Sequence, residues 1–200
     1  MQLKNQAKAH PVATAPALIE ALYQRRSVRE FTTEPLARDT LSKLVDAAIK
    51  APSAMNEQPW SFTIVTDKAV LSKISSKAKA FMLEEFGEGS HLNHFRQMLG
   101  DPSFDIFYGA PALVVISAPG QAQWAAEDCA MAAQNLMLAA HSMSLGTCWI
   151  GFAQRWLNTD EGRLAVGLDQ SQLVVAPIII GHPKVRPEAV PRKKPPVRWV

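Results

Sequence analysis

Three arginines and a serine stand close together in the segment Arg25, Arg26, Ser27, Val28, Arg29. A guanidinium group is planar, stays charged at physiological pH and donates hydrogen bonds in a fixed fork. Arginines beside a short hydroxyl therefore favour binding of phosphate or another electron-rich group. The alternative is a solvated basic face at the end of a helix. The residue types alone leave both interpretations open.

A second candidate segment covers residues 51–60, between a helical pattern and a strand pattern. Two prolines restrict its backbone, Ser53 and Asn56 supply hydrogen-bonding side chains, and Trp60 can anchor it by burying a large ring. Such a loop can present amide groups to the edge of a heterocycle. A rigid connection from helix to strand is the alternative interpretation.

The elements that must position these segments alternate between helices and strands. Apolar periodicity predicts helices over 18–23, 38–48, 124–145 and 155–166, with Gly146 ending the third, and one or two surface helices over 70–99 that break around Gly87 and Gly89. Strand patterns cover 61–65, 113–116 and 172–181, and 148–152 is a short strand or a loop. Pro177 lies inside the last strand pattern, where it cannot donate to a ladder. This alternation favours an α+β or α/β sandwich.

Residues 129–154 contain no Asp, Glu, Lys or Arg. Polar residues such as Gln134, Asn135 and His141 interrupt this segment, so a helix buried in protein is expected and a membrane span is not. Packing within one subunit and burial in a dimer interface would both explain its composition.

The two candidate segments together strongly resemble the nitroreductase family of FMN-dependent oxidoreductases. The resemblance rests on Arg-Arg-Ser-x-Arg followed by Ala-Pro-Ser-x-x-Asn-x-Gln-Pro-Trp, and the second motif is the more specific. Further matches are the segments 108–111, 145–151 and 181–183, so the resemblance runs from about Leu18 to Pro195.

This resemblance implies an α+β fold: a three-layer α/β/α sandwich with a mostly antiparallel central sheet, assembled as a domain-swapped homodimer. The chain would form a single domain over residues 1–200. Residues from about 1 to 16 would be an N-terminal extension, and residues from about 183 to 200 an extended C-terminal arm on the partner subunit.

The resemblance also implies an FMN site shared between subunits. Arg25, Arg26 and Ser27 would face the FMN phosphate, and Arg29 would lie near the N1 and O2 edge of the isoalloxazine. A fixed cation at that edge stabilises the negative charge of the reduced flavin.

The remaining implied contacts come from three other segments. From the partner subunit, the flavin would be reached by Pro52, Ser53, Ala54 and Asn56. Backbone at Ile150 and Gly151 would lie near flavin N5, and a missing side chain at Gly151 lets backbone approach the ring. The arm would add a basic contact to the phosphate. We expect Arg192 and Lys193 to make it, although Lys194 leaves the register ambiguous.

The implied activity is transfer of electron pairs from NADH or NADPH, through FMN, to a small oxidised acceptor such as a nitroaromatic or a quinone, in a ping-pong cycle. No side chain is assigned as a catalytic acid or base, because the chemistry takes place at flavin N5. Two alternatives keep the flavin site. One is dehydrogenation or reductive removal of a substituent, and the other is flavin binding or storage without catalysis.

Composition excludes several other classes. The net charge of +3 is modest and mixed in sign, so a nucleic-acid partner is not expected. Cys129 and Cys148 form no CxxC pair, and no histidine has metal-like spacing, so neither a disulfide framework nor a metal site is expected. The N-terminus lacks the apolar stretch of a signal peptide, and we expect a cytoplasmic protein. Five phenylalanines, either core or lining a substrate entrance, are Phe81, Phe86, Phe95, Phe104 and Phe107.

Overall fold

The structure is a computed structural model that describes residues 15–86 and 93–200. Seven α-helices occur in this part of the chain, together with a short 3-10 helix at Ala54–Asn56. The α-helices are α1 Ala15–Gln24, α2 Arg38–Ala48, α3 Lys68–Glu85, α4 Asn93–Gly100, α5 Ala125–Ser142, α6 Gly151–Leu157 and α7 Asp160–Ala165. The strands are β1 Ser61–Val65, β2 Ala112–Pro119, β3 Gly146–Trp149 and β4 Gln172–Gly181. The helix break expected around Gly87 and Gly89 lies outside the described residues. So does the expected N-terminal extension, except for its last two residues.

The four strands form one antiparallel sheet in the order β1-β2-β4-β3. β4 is an interior strand, as its apolar sequence predicts, and it contains Pro177 opposite Val115. The carbonyl of Pro177 points towards β3 and accepts a hydrogen bond from the Ile150 amide at 2.8 Å. Its ring nitrogen faces the same side and cannot donate a bond back to Ile150. The Ile150 carbonyl instead accepts from the Ala153 amide at 3.1 Å, where α6 begins.

Helices cover both faces of the sheet, because successive strand residues point to opposite sides. One face packs on α3, α4, α6 and α7 through side chains that include Leu113, Val115 and Ile74. The other face packs on α2 and α5 through side chains that include Val114 and Leu136. The predicted α+β fold with three layers and an antiparallel sheet is thereby confirmed.

The end of α5 differs from the prediction. The helix ends at Ser142 in a Schellman motif, in which Ser144 adopts a left-handed backbone with φ of 61° and the Leu145 amide donates to the Ala140 carbonyl at 2.9 Å. Gly146 does not end the helix and instead begins β3. A Cβ on Gly146 would lie 2.8 Å from the Cβ of Val28, so close approach of two backbones explains this glycine.

The prediction of a single helix over 155–166 is wrong as well. Two helices occupy the region, since α6 begins at Gly151 and the break falls at Asn158 and Thr159. Asn158 pairs with the backbone of β4, accepting from the Val174 amide at 2.9 Å and donating to its carbonyl at 2.8 Å. Thr159 caps α7 by accepting from the Gly162 amide at 3.1 Å. These side-chain bonds compete with helix continuation.

Most of the five phenylalanines belong to the core. Phe107 is buried, while Phe81, Phe86 and Phe104 pack against the same core from partly buried positions. Phe95 is the most exposed of them and lies edge-on to Phe152, with ring centroids 5.7 Å apart.

The segment after Pro183 is exposed throughout residues 184–200 and forms no helix or strand. Its extended course agrees with the proline-rich sequence. In the part of the chain that the structure describes, no helix is both long enough and apolar enough to cross a bilayer.

The close approach at Gly146 gives a stability prediction. We expect Gly146→Ala to destabilise the protein by about 1–3 kcal/mol and lower its Tm by several degrees, because the new methyl group meets the Val28 side chain, whose Cβ cannot rotate away. Thermal unfolding followed by circular dichroism measures this. The control is Gly100→Ala, where an added Cβ meets nothing within 4 Å and Tm should not fall. Equal Tm values for the two variants would contradict the packing argument.

Candidate functional site

The arginine segment is fixed to the sheet through its backbone. It follows directly after α1, and the Val28 amide donates to the Thr147 carbonyl of β3 at 2.9 Å. Ser27 and Thr147 form a parallel bridge, and Phe31 bridges to Pro183 farther along. These backbone bonds fix the course of the segment from which the arginine side chains extend.

Beside this segment lies a cavity of about 150 Å³ between the end of α1, the C-terminal end of α5 and the chain that follows β4. We call it the arginine pocket. Its polar lining comes from three separate parts of the chain and includes Arg25, Arg26, His141, Thr147 and Arg186. Arg186 and His141 were not singled out from the sequence, because only tertiary structure brings them to the arginine segment.

The arginine pocket carries uncompensated positive charge. The pKa of Arg25 is lowered by burial and then by the charges of Arg192 and Arg26. The pKa of His141 is lowered by burial and then by Arg186, Arg25 and Arg26. None of these four arginines forms an ion pair with a carboxylate of the described residues. An anion is therefore the ligand that this lining favours.

Arg26 is partly engaged by the backbone around it. One terminal nitrogen donates to the Tyr23 carbonyl at 2.6 Å and to the Arg25 carbonyl at 2.9 Å, whereas its buried Nε has no partner among the described residues. A buried donor without an acceptor is costly, so this atom can gain from an anionic ligand.

The C-terminal arm affects the pocket through the charge of Arg192, which is one cause of the lowered pKa of Arg25 in the single chain. Arg192, Lys193 and Lys194 are all exposed. Which of these three cations contacts a ligand stays a prediction.

Arg29 does not line the arginine pocket and lies near Tyr108 and Cys148. Burial raises the pKa of both Tyr108 and Cys148, and the positive charge of Arg29 partly opposes each shift. Tyr108 has a left-handed backbone with φ of 53°, in a turn where the Asp105 carboxylate accepts from the Gly109 amide at 2.9 Å. The turn therefore holds a phenol beside Arg29.

The loop after α2 contains three non-glycine residues with positive φ: Met55, Asn56 and Gln58. Its side chains also bond to one another, since Ser53 Oγ accepts from the Gln58 amide at 3.0 Å and Asn56 Oδ1 accepts from the Gln58 side chain at 3.0 Å. Pro52, Met55 and Asn56 are exposed, and Met55 retains 89% of its surface. Left-handed backbone is strained for such residues and is typical of ligand-binding loops.

Ile150 and Gly151 follow β3 at the opposite end from Gly146. The Ile150 amide is already used, because it donates to Pro177, so Gly151 is the better candidate for a free amide. Gly151 is exposed at the first position of α6, and a Cβ there would meet nothing within 4 Å.

Neither cysteine has the surroundings of a nucleophile. Cys129 and Cys148 are buried and unpaired, and burial raises the pKa of Cys129 to about 12. No group of three or more potential metal ligands occurs in residues 15–86 and 93–200.

Comparison with known proteins identifies the family. A family model described as the nitroreductase family matches residues 22–182. The chain belongs to the nitroreductase family. This confirms the family inferred from the motifs, and with it an enzyme of the nitroreductase type.

Individual members of the nitroreductase family resemble the chain over most of its length. A protein of Archaeoglobus fulgidus, provisionally named as an NADH dehydrogenase or NAD(P)H nitroreductase, is 30% identical over 83% of this chain and 85% of its own length. The FMN reductase (NAD(P)H) of Bacillus subtilis is 28% identical over 88% of this chain and 69% of its own. A nitroreductase of Bacteroides fragilis, solved with bound FMN, superposes with a TM-score of 0.79 at 26% identity, covering 92% of this chain and 98% of that one.

In this nitroreductase-family chain, the two predicted binding segments lie far apart. His141 lines the arginine pocket near the C-terminal end of α5, whereas the loop is bonded to Asp128 in the first turn of α5, through the Ala54 amide at 2.9 Å. At a rise of about 1.5 Å per residue these two positions are roughly 20 Å apart. The arginine pocket and the loop of one chain are therefore separated by most of the length of α5.

The crowded cations predict an unusual titration of His141. We expect its pKa to lie below the ordinary value of 6.5 in the ligand-free protein and to rise in Arg25→Ala, because one repelling charge is removed. Below pH 6.5 the unfolded chain then binds more protons than the folded chain, so this histidine lowers stability as the pH falls.

Imidazole proton resonances followed by NMR between pH 4 and 8 measure this shift, with His141→Gln used to assign the signal. Arg38→Ala, an exposed change outside the pocket, is the control and should leave the midpoint unchanged. Inorganic phosphate should raise the midpoint. An unchanged midpoint in Arg25→Ala would contradict the crowding.

Proposed function

We propose that this chain is a homodimeric oxidoreductase that binds FMN between its subunits and passes electron pairs from NADH or NADPH to small oxidised acceptors, such as nitroaromatics or quinones, in a ping-pong cycle. The observation that carries the proposal is the separation of the two binding segments by the length of α5. Each segment has the chemistry to hold part of a flavin nucleotide, and two antiparallel copies can bring the loop of one chain to the arginine pocket of the other.

The arginine pocket fits the phosphate end of FMN. Its cations lack carboxylate partners in the described residues, and Arg26 Nε is a buried donor without an acceptor. Arg25, Arg26 and Ser27 would bind the phosphate, with Arg192 from the arm beside them. Charge-assisted bonds from several guanidinium groups suit a dianion. The FMN bound in the Bacteroides fragilis nitroreductase and the name of the Bacillus subtilis relative support this choice of cofactor.

The ring end would be held by contacts from both subunits. Arg29 would hold a fixed positive charge beside the pyrimidine edge, with Tyr108 next to it. Gly151 would present a backbone amide near N5, while Pro52, Ser53, Ala54 and Asn56 would come from the partner. Lys193, predicted to contact the phosphate, is exposed in the single chain and remains part of the proposal.

FMN, when bound, accepts and gives up a hydride equivalent at N5, and this is the chemistry the reaction needs. The role of the chain is to orient the cofactor, to keep the positive charge of Arg29 fixed beside it and to exclude competing molecules from the flavin. No side chain in the proposal acts as an acid or base. Two buried and unpaired thiols also fit a reducing, cytoplasmic location.

Two exposed surfaces support the dimer. α1 presents apolar side chains to solvent that include Leu18, Ile19 and Leu22, and the arm exposes Val197 and Trp199. Contiguous apolar surface of this kind is typical of subunit interfaces. A domain-swapped homodimer, in which arms or loops cross between subunits, would cover it.

The direct test is to purify the protein, identify any bound flavin and mix the holoprotein with NADH or NADPH in a stopped-flow instrument. We expect a yellow protein that releases FMN on denaturation, prompt loss of the 450 nm flavin absorbance on mixing, and reoxidation by a quinone or nitroaromatic. Parallel lines in double-reciprocal plots would support the ping-pong cycle.

The alternatives give different results in the same experiment. Flavin that NAD(P)H does not reduce would indicate storage, or a reaction such as dehydrogenation that takes electrons from another donor. A colourless protein that cannot be reconstituted with FMN would contradict the proposal.

Arg25 provides a sharper test of the phosphate assignment. We expect Arg25→Ala to weaken FMN binding roughly 10–100-fold, because one charge-assisted hydrogen bond is worth about 1.5–3 kcal/mol. Equilibrium titration of apoprotein with FMN, followed by flavin fluorescence, measures the Kd. The matched control is Arg38→Ala, which removes an exposed arginine at the start of α2. Equal FMN affinity in the two variants would remove the phosphate assignment.

The dimer gives a separate prediction. We expect the double variant Ile19→Glu, Leu22→Glu to shift the protein to a monomer and to weaken FMN binding at the same time, because the loop would no longer reach the partner's pocket. Analytical ultracentrifugation and FMN titration measure the two effects. The control is Leu164→Glu on α7, whose side chain is 78% exposed. A monomeric variant with unchanged FMN affinity would exclude a shared site.

A further inference from the structure

Asp128 is a buried carboxylate at the point where the loop meets α5. Only 5% of its surface is exposed, and Oδ1 accepts a hydrogen bond from the Ala54 amide at 2.9 Å. Oδ2 is buried without a partner, and no cation of the described residues forms an ion pair with Asp128. A charged group that is buried with so little compensation calls for a reason beyond core packing.

This carboxylate accepts the hydrogen bond that connects the loop to α5. The other hydrogen bonds of residues 53–58 stay within the loop: the Asn56 amide donates to the Ser53 carbonyl at 3.1 Å and the Glu57 amide to the Ala54 carbonyl at 3.0 Å. Among the described residues, the hydrogen bond from the Ala54 amide to Asp128 is the one that connects residues 53–58 to a more distant part of the chain.

The charge of Asp128 suits this task. It lies in the first turn of α5, where the helix dipole stabilises an anion. A carboxylate oxygen accepts from an amide more strongly than a neutral oxygen does, so it fixes the peptide plane that joins Ser53 to Ala54. Three left-handed residues follow in the next four positions, and such a strained turn keeps its shape only when the structure around it determines it.

We propose that Asp128 is the positioning residue of the flavin-binding loop: it holds the Ala54 amide and thereby sets the orientation of Ser53 and Asn56 towards FMN bound on the partner subunit. This inference rests on the proposed function, because it assigns the loop to the flavin site. Asp128 itself lies behind the loop and acts through Ala54.

The test compares Asp128→Ala and Asp128→Asn with Glu127→Ala, which removes an exposed carboxylate from the same helical turn. Amide hydrogen exchange of the peptide that covers residues 51–60, in apoprotein, reports on the loop without FMN. FMN titration gives the Kd, and visible circular dichroism of the bound flavin reports its surroundings. Thermal unfolding of each apoprotein measures stability separately.

In Asp128→Ala we expect the Ala54 amide to exchange at least about tenfold faster, the FMN Kd to weaken about tenfold or more and the flavin dichroism to change. Asp128→Asn should recover part of each effect, because its amide oxygen can still accept from Ala54. Glu127→Ala should behave as the unchanged protein. If Asp128→Ala does not fold, Asp128→Asn carries the test, with a Kd between about three- and tenfold weaker than that of the unchanged protein.

Three results would overturn the inference: unchanged exchange at Ala54, faster exchange with an FMN Kd within about twofold of the unchanged protein, or a lower Tm as the sole effect. A folded Asp128→Asn with unchanged Kd, where it alone is available, would do the same. Failure of the unchanged protein to bind FMN would instead remove the proposed function, and the exchange measurement would still decide whether Asp128 holds the loop.

Discussion

The cations of the arginine pocket repel one another, and the surrounding structure must offset this repulsion for the pocket to form. Burial and the charges of Arg192 and Arg26 lower the pKa of Arg25, and the pKa of His141 is lowered by burial and by the arginines around it. Opposite charges of the described residues do not hold this arrangement together. Backbone hydrogen bonds to β3 and His182 do so, as in the donation from Val28 to Thr147 at 2.9 Å. The sheet, with its two apolar faces, supplies the stability that the pocket lacks.

A consequence is that ligand binding and folding are coupled at this pocket. An anion that enters it reduces the repulsion and gives the orphan donor of Arg26 an acceptor. Any ligand that binds the folded form alone raises stability by mass action, and here it also removes a local source of instability. The pocket is formed before the ligand arrives because the backbone, and not the charges, defines it.

Sequence patterns reveal candidate segments that are local and miss the contacts that depend on long-range packing. The Arg25 to Arg29 segment and the Pro52 to Asn56 loop are visible as motifs, and the strands carry their own apolar patterns. Asp128 was not singled out because nothing along the chain shows that it bonds to Ala54, more than seventy residues away. Gly146 was assigned to a helix end because its close contact with Val28 is equally non-local. The helix break at Asn158 was not predicted for the same reason, because it depends on hydrogen bonds to Val174 of β4.

The two ends of the proposed FMN site differ in how many of their residues come from a single chain. Arg25 and Arg26, which would bind the phosphate, line one pocket of a single chain. The loop lies at the other end of α5 and, in the proposed dimer, would serve the pocket of the partner subunit. A monomer would therefore keep a phosphate-binding pocket but lose the loop at the ring end, where orientation for hydride transfer matters. In the proposed dimer, the contact between subunits would contribute more to positioning the flavin ring than to attracting the nucleotide. The strained loop held by Asp128 would be the element through which one subunit acts on the other.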